Sequence, residues 1–227
     1  MKILLALLTC LISACGIQAQ EGHFDIGLKK FDVTFKTNEN YPTVIDKKHP
    51  VCNDKECNVK SILYNTMPLS LENKDGQCRV YADISPMLLV KDFDIYDDTT
   101  SQPIKYVDPD TVATNEPSIY TYNLVRWNMN NGAKGFATQE WQIDDLKCML
   151  TFMPQSKARE LFNANYLCFV PLDFKGQTCQ GKYTNARCVV FGKEDKDIIL
   201  YFFMTDNSAR KFYRYLDEMK DVFRFNK

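Results

Sequence analysis

The chain has 227 residues, 45% hydrophobic, 13% aromatic and 25% charged, with 28 basic against 29 acidic side chains. These are globular proportions, and they exclude collagen, a coiled coil and long disorder. A formal charge of −1 removes the basic footprint of a nucleic-acid binder or of a polybasic membrane binder, so neither kind of partner is expected.

The N-terminus reads as an address. Lys2 is a minimal basic n-region. Ile3 to Ile12 is an apolar run of about ten residues, half of what a bilayer span needs and enough for a signal peptide. Two cleavage readings compete. Ile12-Ser13-Ala14-Cys15 resembles the lipobox of bacterial envelope lipoproteins. That resemblance covers the signal segment alone and implies lipidation of Cys15. It also implies a place at the bacterial outer membrane or periplasm, with the membrane touched only through the lipid anchor. In the other reading Ile17-Gln18-Ala19 precedes an ordinary cut before Gln20, which gives a freely secreted chain. Residues 1–19 are thus a signal peptide and 20–227 a single compact domain. None of the 16 asparagines opens an Asn-x-Ser/Thr sequon, which leans toward a bacterial source or an unglycosylated protein.

Residues 20–30 read as a polar lead-in. Phe31, Val33 and Phe35 alternate with polar residues as a half-buried strand does. Residues 37–58 are turn-rich. Strand-like runs follow at 60–65, 67–72, 77–83, 119–127, 135–143, 147–153, 166–172, 184–191 and 197–204. The stretch 97–118, with Pro103, Pro109 and Pro117, is a surface connection or a divide between two subdomains. After a cap at Asp206, Asn207 or Ser208, the apolar residues Ala209, Phe212, Tyr213, Leu216, Met219 and Phe223 recur every three or four positions, so a C-terminal helix is expected to dock on the preceding strand.

An internal similarity joins residues 150–162 (LTFMPQSKARELF) to 201–213 (YFFMTDNSARKFY). Met153 aligns with Met204, Ala158 with Ala209 and Arg159 with Arg210. Each copy reads as a strand entering a capped helix after an acidic turn, Asp144-Asp145 or Glu194-Asp195. A fainter copy lies at 67–93. The fold class expected is α+β: a mainly antiparallel sheet with helices on one face, an arrangement that duplicated β-hairpin–helix units would build.

Seven cysteines remain in the body after Gln20. Export favours disulfides, and an odd count leaves at least one thiol free. Cys52 and Cys57 can close their own polar loop. If 166–172 and 184–190 pair as a hairpin, Cys168 faces Cys188, with Cys179–Cys188 as the alternative. Cys78 and Cys148 each begin an apolar run and read as buried free thiols.

No complete catalytic motif emerges. Gly176-Gln177-Thr178-Cys179-Gln180-Gly181-Lys182 has P-loop spacing, but Tyr183 stands where Ser or Thr should hold magnesium, so it reads as a hairpin loop. His49, Cys52 and Cys57 lack a clear fourth metal ligand. The acidic groups Asp92, Asp94, Asp97, Asp98 and Asp108, Asp110 lack a calcium loop's glycine and glutamate. No metal or cofactor is expected. Both histidines, His23 and His49, lie in the first 49 residues, which disfavours histidine-based nucleophilic catalysis and leaves no catalytic residue to assign. Tyr120, Tyr122, Trp127 and Trp141 sit on strand-like runs and are candidate ligand-contact aromatics, although core packing is the commoner use. The expectation is an exported, non-catalytic binding protein whose partner is a protein or an envelope component. A lipocalin-like small-ligand carrier and a hydrolase with paired carboxylates are the alternatives.

Overall fold

In the computed structural model, residues 23–45, 69–84, 116–118, 121–122, 124–125, 143–172, 182–194 and 196–226 are described. Their elements run α1 (His23–Phe31), β1 (Val33–Phe35), β2 (Thr43–Ile45), β3 (Leu69–Glu72), β4 (Cys78–Asp83), α2 (Ile143–Cys148) and β5 (Thr151–Phe152). Next come α3 (Gln155–Phe162), β6 (Tyr166–Val170), β7 (Asn185–Lys193), β8 (Lys196–Met204), α4 (Asp206–Ala209), α5 (Phe212–Asp217) and β9 (Phe223–Phe225). Seven strands form one open sheet in the order β2-β3-β4-β8-β7-β6-β5, with every neighbouring pair antiparallel. The fold class is therefore α+β. Strands from either side of 97–118 share this sheet, since β4 pairs with β8.

The central strands of the sheet are buried on both faces, and β8 shows why its sequence is so apolar. Ile198, Leu200, Phe202 and Met204 enter one core, while Ile199, Tyr201 and Phe203 enter the other. A strand covered on both sides reads as a continuous hydrophobic run, not as an alternation. The first core takes α3 and α5 through Ala158, Leu161, Phe162, Phe212 and Leu216. There Phe162 stacks on Phe191 with ring centroids 3.9 Å apart. The opposite core is roofed by Tyr122, Leu124 and Val125, with Leu146 of α2. Helical pieces thus cover both faces, where the sequence pointed to one.

A second, two-stranded sheet pairs β1 with β9, Val33 opposite Phe225 and Phe35 opposite Phe223. Asn163 joins this ribbon to α3. It terminates the helix in the left-handed region at φ 54°, and its side-chain amide donates to the Phe225 carbonyl at 2.7 Å.

Several expectations change. The lead-in is α1, whose Asp25 lies in the first turn and whose Lys29 and Lys30 lie in the last, an arrangement that suits the helix dipole. Residues 121, 122, 124 and 125 are helical, not strand. The C-terminal helix is two short helices followed by a strand. Asp221 at φ 61° reverses the chain, and Phe223 lies on β9. Both repeat copies do run from a strand into a helix. Their lead-ins differ: Asp144 and Asp145 lie inside α2, whereas Glu194 turns the β7–β8 hairpin at φ 59°. The run at 60–65, the run at 135–143 up to its last residue Ile143, which opens α2, and the faint third copy beyond Ile84 lie outside the described residues.

Candidate functional site

The β6–β7 pairing forms as expected but in a different register. Cys168 faces Val190 and Cys188 faces Val170, a shift of two that leaves the cysteines diagonal. Both thiols are free, so the expected Cys168–Cys188 disulfide is corrected. Burial pushes the Cys168 thiol up to about 12 and the Cys188 thiol well above its ordinary value. Thiols so raised are poor nucleophiles. Cys78 is buried and free as expected, whereas Cys148 is free and exposed at the end of α2. Cys15, Cys52, Cys57 and Cys179 lie outside the described residues, as do His49 and the acidic groups between Asp92 and Asp110.

Of the four candidate contact aromatics, only Tyr122 is described. It is fully buried beneath the sheet, so it is a core residue and not a surface contact. Tyr120, Trp127 and Trp141 lie outside the described residues. Helical geometry explains the misreading, because large side chains on both alternating faces fit a buried helical turn as well as a covered strand.

The surface feature that the sequence did not single out is a cleft of about 390 Å³ at the end of β6 and the start of β7. Met149, Phe169, Leu172, Met204 and Ala209 supply apolar walls, and Thr151, Asn185 and Arg187 supply polar groups. Short elements build it. β5 places Thr151 opposite Phe169, and α4, entered directly from β8, brings Ala209 over the strand ends. Arg187 is exposed and makes no ion pair among the described residues. Its guanidinium lies over the Phe212 ring, 5.1 Å from the centroid. Phe169 meets Phe212 edge-on at 5.6 Å and Tyr213 at 6.1 Å. Tyr213 is 59% exposed, and Phe152 on the neighbouring edge strand is 47% exposed. Tyrosine and arginine, here an exposed pair beside the cleft, are residue types enriched in binding hot spots.

No carboxylate or imidazole is among the described residues lining the cleft. The carboxylate pair that a glycosidase-like hydrolase needs is not brought together there. The sheet is open, with β2 and β5 at its edges, and the closed barrel of the lipocalin-like alternative is not formed among the described residues. Among them, too, no helix is long and apolar enough to cross a membrane, and no group of three or more potential metal ligands occurs.

Comparison with protein-family models, with curated proteins and with solved structures finds no match to this chain.

Proposed function

We propose that the chain is an exported, non-catalytic binding protein, freely secreted or held at a bacterial envelope through Cys15, and that the cleft between β6, β7 and α4 receives its ligand. The observation that carries the reading is the lining itself: apolar side chains beside the polar Thr151 and Asn185, one cation without an ion pair and no carboxylate or imidazole among the described residues. Its volume lies in the range of small-ligand sites, and its lining mixes apolar side chains with a somewhat larger polar surface. An amphiphilic anion, free or displayed on an envelope component, matches this chemistry. Its apolar part fills the space between Phe169, Leu172 and Met204, and its anionic head meets Arg187.

Titration of the ¹⁵N-labelled protein with sodium decanoate tests the reading. Saturable shifts are expected around Phe169, Arg187 and Met204. Arg187→Gln should weaken decanoate about tenfold, since hydrogen bonds to charged groups are worth about 1.5–3 kcal/mol, and decanol should bind comparably to both proteins. Saturation centred elsewhere, or none below the micelle concentration, rejects the site. Mass spectrometry of the mature N-terminus tests the anchor, and an unmodified chain beginning at Gln20 removes it.

A further inference from the structure

Asp197 sits at the start of β8, on the sheet face opposite α3 and α5, and is 1% exposed. Its Oδ2 accepts three hydrogen bonds from the segment that crosses this face. The donors are the Ser118 N–H at 3.1 Å, the Ser118 hydroxyl at 2.7 Å and the Thr121 hydroxyl. Its Oδ1 accepts none. All three donors are neutral, so a carboxylate here is a buried charge with no counter-ion among the described residues.

The register explains what faces the bare oxygen. Tyr166 of β6 stands opposite Gly192 of β7, and Gly192 stands opposite Asp197. With no side chain at 192, the Tyr166 ring lies across the strand. Its hydroxyl and Asp197 Oδ1 crowd the same point, the latter 2.7 Å from where an alanine Cβ would stand. The Tyr166 hydroxyl is itself buried without a partner, and so is that of Tyr122. The charged groups around this corner include Asp83 of β4, buried on the same sheet face opposite Ile199, and Glu116 and Asp144, which act on Tyr122 as Asp197 itself does. Glu116 meets Lys147 of α2 at 2.6 Å, and Lys196 meets Glu194 across the hairpin at 3.7 Å.

We propose that Asp197 is an acid-set latch: as a neutral acid, with its Oδ1–H facing the Tyr166 hydroxyl, it holds the strap carrying Ser118 and Thr121 on the sheet, and as a carboxylate it favours release of that strap to water.

Burial raises the Asp197 carboxyl to about 6, outweighing the lowering effect of the Thr121 and Ser118 hydrogen bonds. A raised carboxyl binds its proton more tightly in the closed form than in the open one. The latch is therefore fully set below about pH 4 and is lost as pH rises through about 6. If the open form has an ordinary aspartate, the opening constant of the strap is about tenfold larger at pH 8 than at pH 5.

Hydrogen exchange of the full chain reads this directly. The Thr121 and Tyr122 amides donate to the Ser118 carbonyl at 3.0 and 3.4 Å and report strap opening. After correction for intrinsic rates, their protection should fall about tenfold from pH 5 to pH 8 relative to the Phe202 amide of β8. The change should vanish in Asp197→Asn, which keeps the shape and an acceptor for the Ser118 amide but does not titrate. Tyr166→Phe should move the midpoint downward by removing the hydroxyl that faces the neutral acid. A pH-independent wild-type ratio overturns the latch. So does an equal change in Asp197→Asn. If that variant fails to fold, an unmoved midpoint in Tyr166→Phe overturns it instead.

Discussion

Replacing Gly192 by alanine tests the packing of the second core through one methyl group. Gly192 is not among the residues at positive φ, so its backbone accepts an L-residue and the whole cost is contact. The new Cβ would stand well inside 3.0 Å of the Tyr166 hydroxyl, its Cζ and Asp197 Oδ1. Tyr166 is buried in the second core with Val190 and Tyr201, so its ring cannot swing away freely. Overpacking of this kind costs about 1–3 kcal/mol, and removing a glycine from a strand returns about 0.5–1 kcal/mol. These ranges leave a net of about 0–2.5 kcal/mol, and contacts as short as these place the expected loss in its upper part, about 1–2 kcal/mol. With a urea m-value of about 2 kcal/mol/M, the unfolding midpoint should fall by about 0.5–1 M. The control is Tyr166→Val, which removes the ring. In that background Gly192→Ala should be neutral or slightly stabilising, giving a coupling of at least about 1 kcal/mol in the double-mutant cycle. A neutral Gly192→Ala in the wild type, or the same cost in both backgrounds, would refute the placement of the Tyr166 ring over the glycine.

Two further outcomes follow from local geometry. Asn163 ends α3 at φ 54° and ties it to β9 by its side-chain amide. Asn163→Ala should therefore cost about 1–3 kcal/mol in chemical denaturation, and Asn163→Gly should cost measurably less, because glycine removes the left-handed strain but not the lost hydrogen bond. Asp75 is partly buried, which opposes its ionisation. The Gln77 N–H, the Tyr215 hydroxyl and Arg214 nevertheless hold its carboxyl below its ordinary value. A depressed carboxyl contributes stability above its unfolded value, and that contribution is lost as pH falls through the folded one. Wild type should consequently lose stability more steeply than Asp75→Asn below about pH 4 in acid titrations followed by circular dichroism.

The sheet was largely legible because its long strands carry their own signal. The runs at 77–83, 166–172, 184–191 and 197–204 correspond to β4, β6, β7 and β8, each rich in β-branched and aromatic residues and bounded by turn residues. Register was less legible. The β7–β8 turn is short, with Lys193 opposite Lys196, and it fixes that pair. The β6–β7 connection is longer, and a slip of two keeps every side chain on the same face, so hydrophobic pattern alone cannot separate the two registers. The end of the C-terminal helix was hidden because Asp221, not glycine, takes the left-handed turn. Phe223 therefore looked like one more helical repeat. The cleft could not be read at all, since Thr151, Phe169, Arg187 and Ala209 come from four elements and meet only through β5–β6–β7 pairing and the turn into α4. Asp197 left one trace, a carboxylate beginning an otherwise apolar strand.

The β1–β9 ribbon has a mechanical consequence. The first residue of β1 pairs with the last of β9, Val33 with Phe225, so the chain enters and leaves the ribbon at the same end. Tension applied between the two ends loads the hydrogen bonds one after another, as a zipper is loaded, and never all at once in shear. The ribbon should yield at low force while the seven-stranded sheet, which is hydrogen-bonded separately from this pair, stays closed. A chain tethered at one end and pulled at the other would thus gain extension by giving up a short ribbon before its main sheet opens.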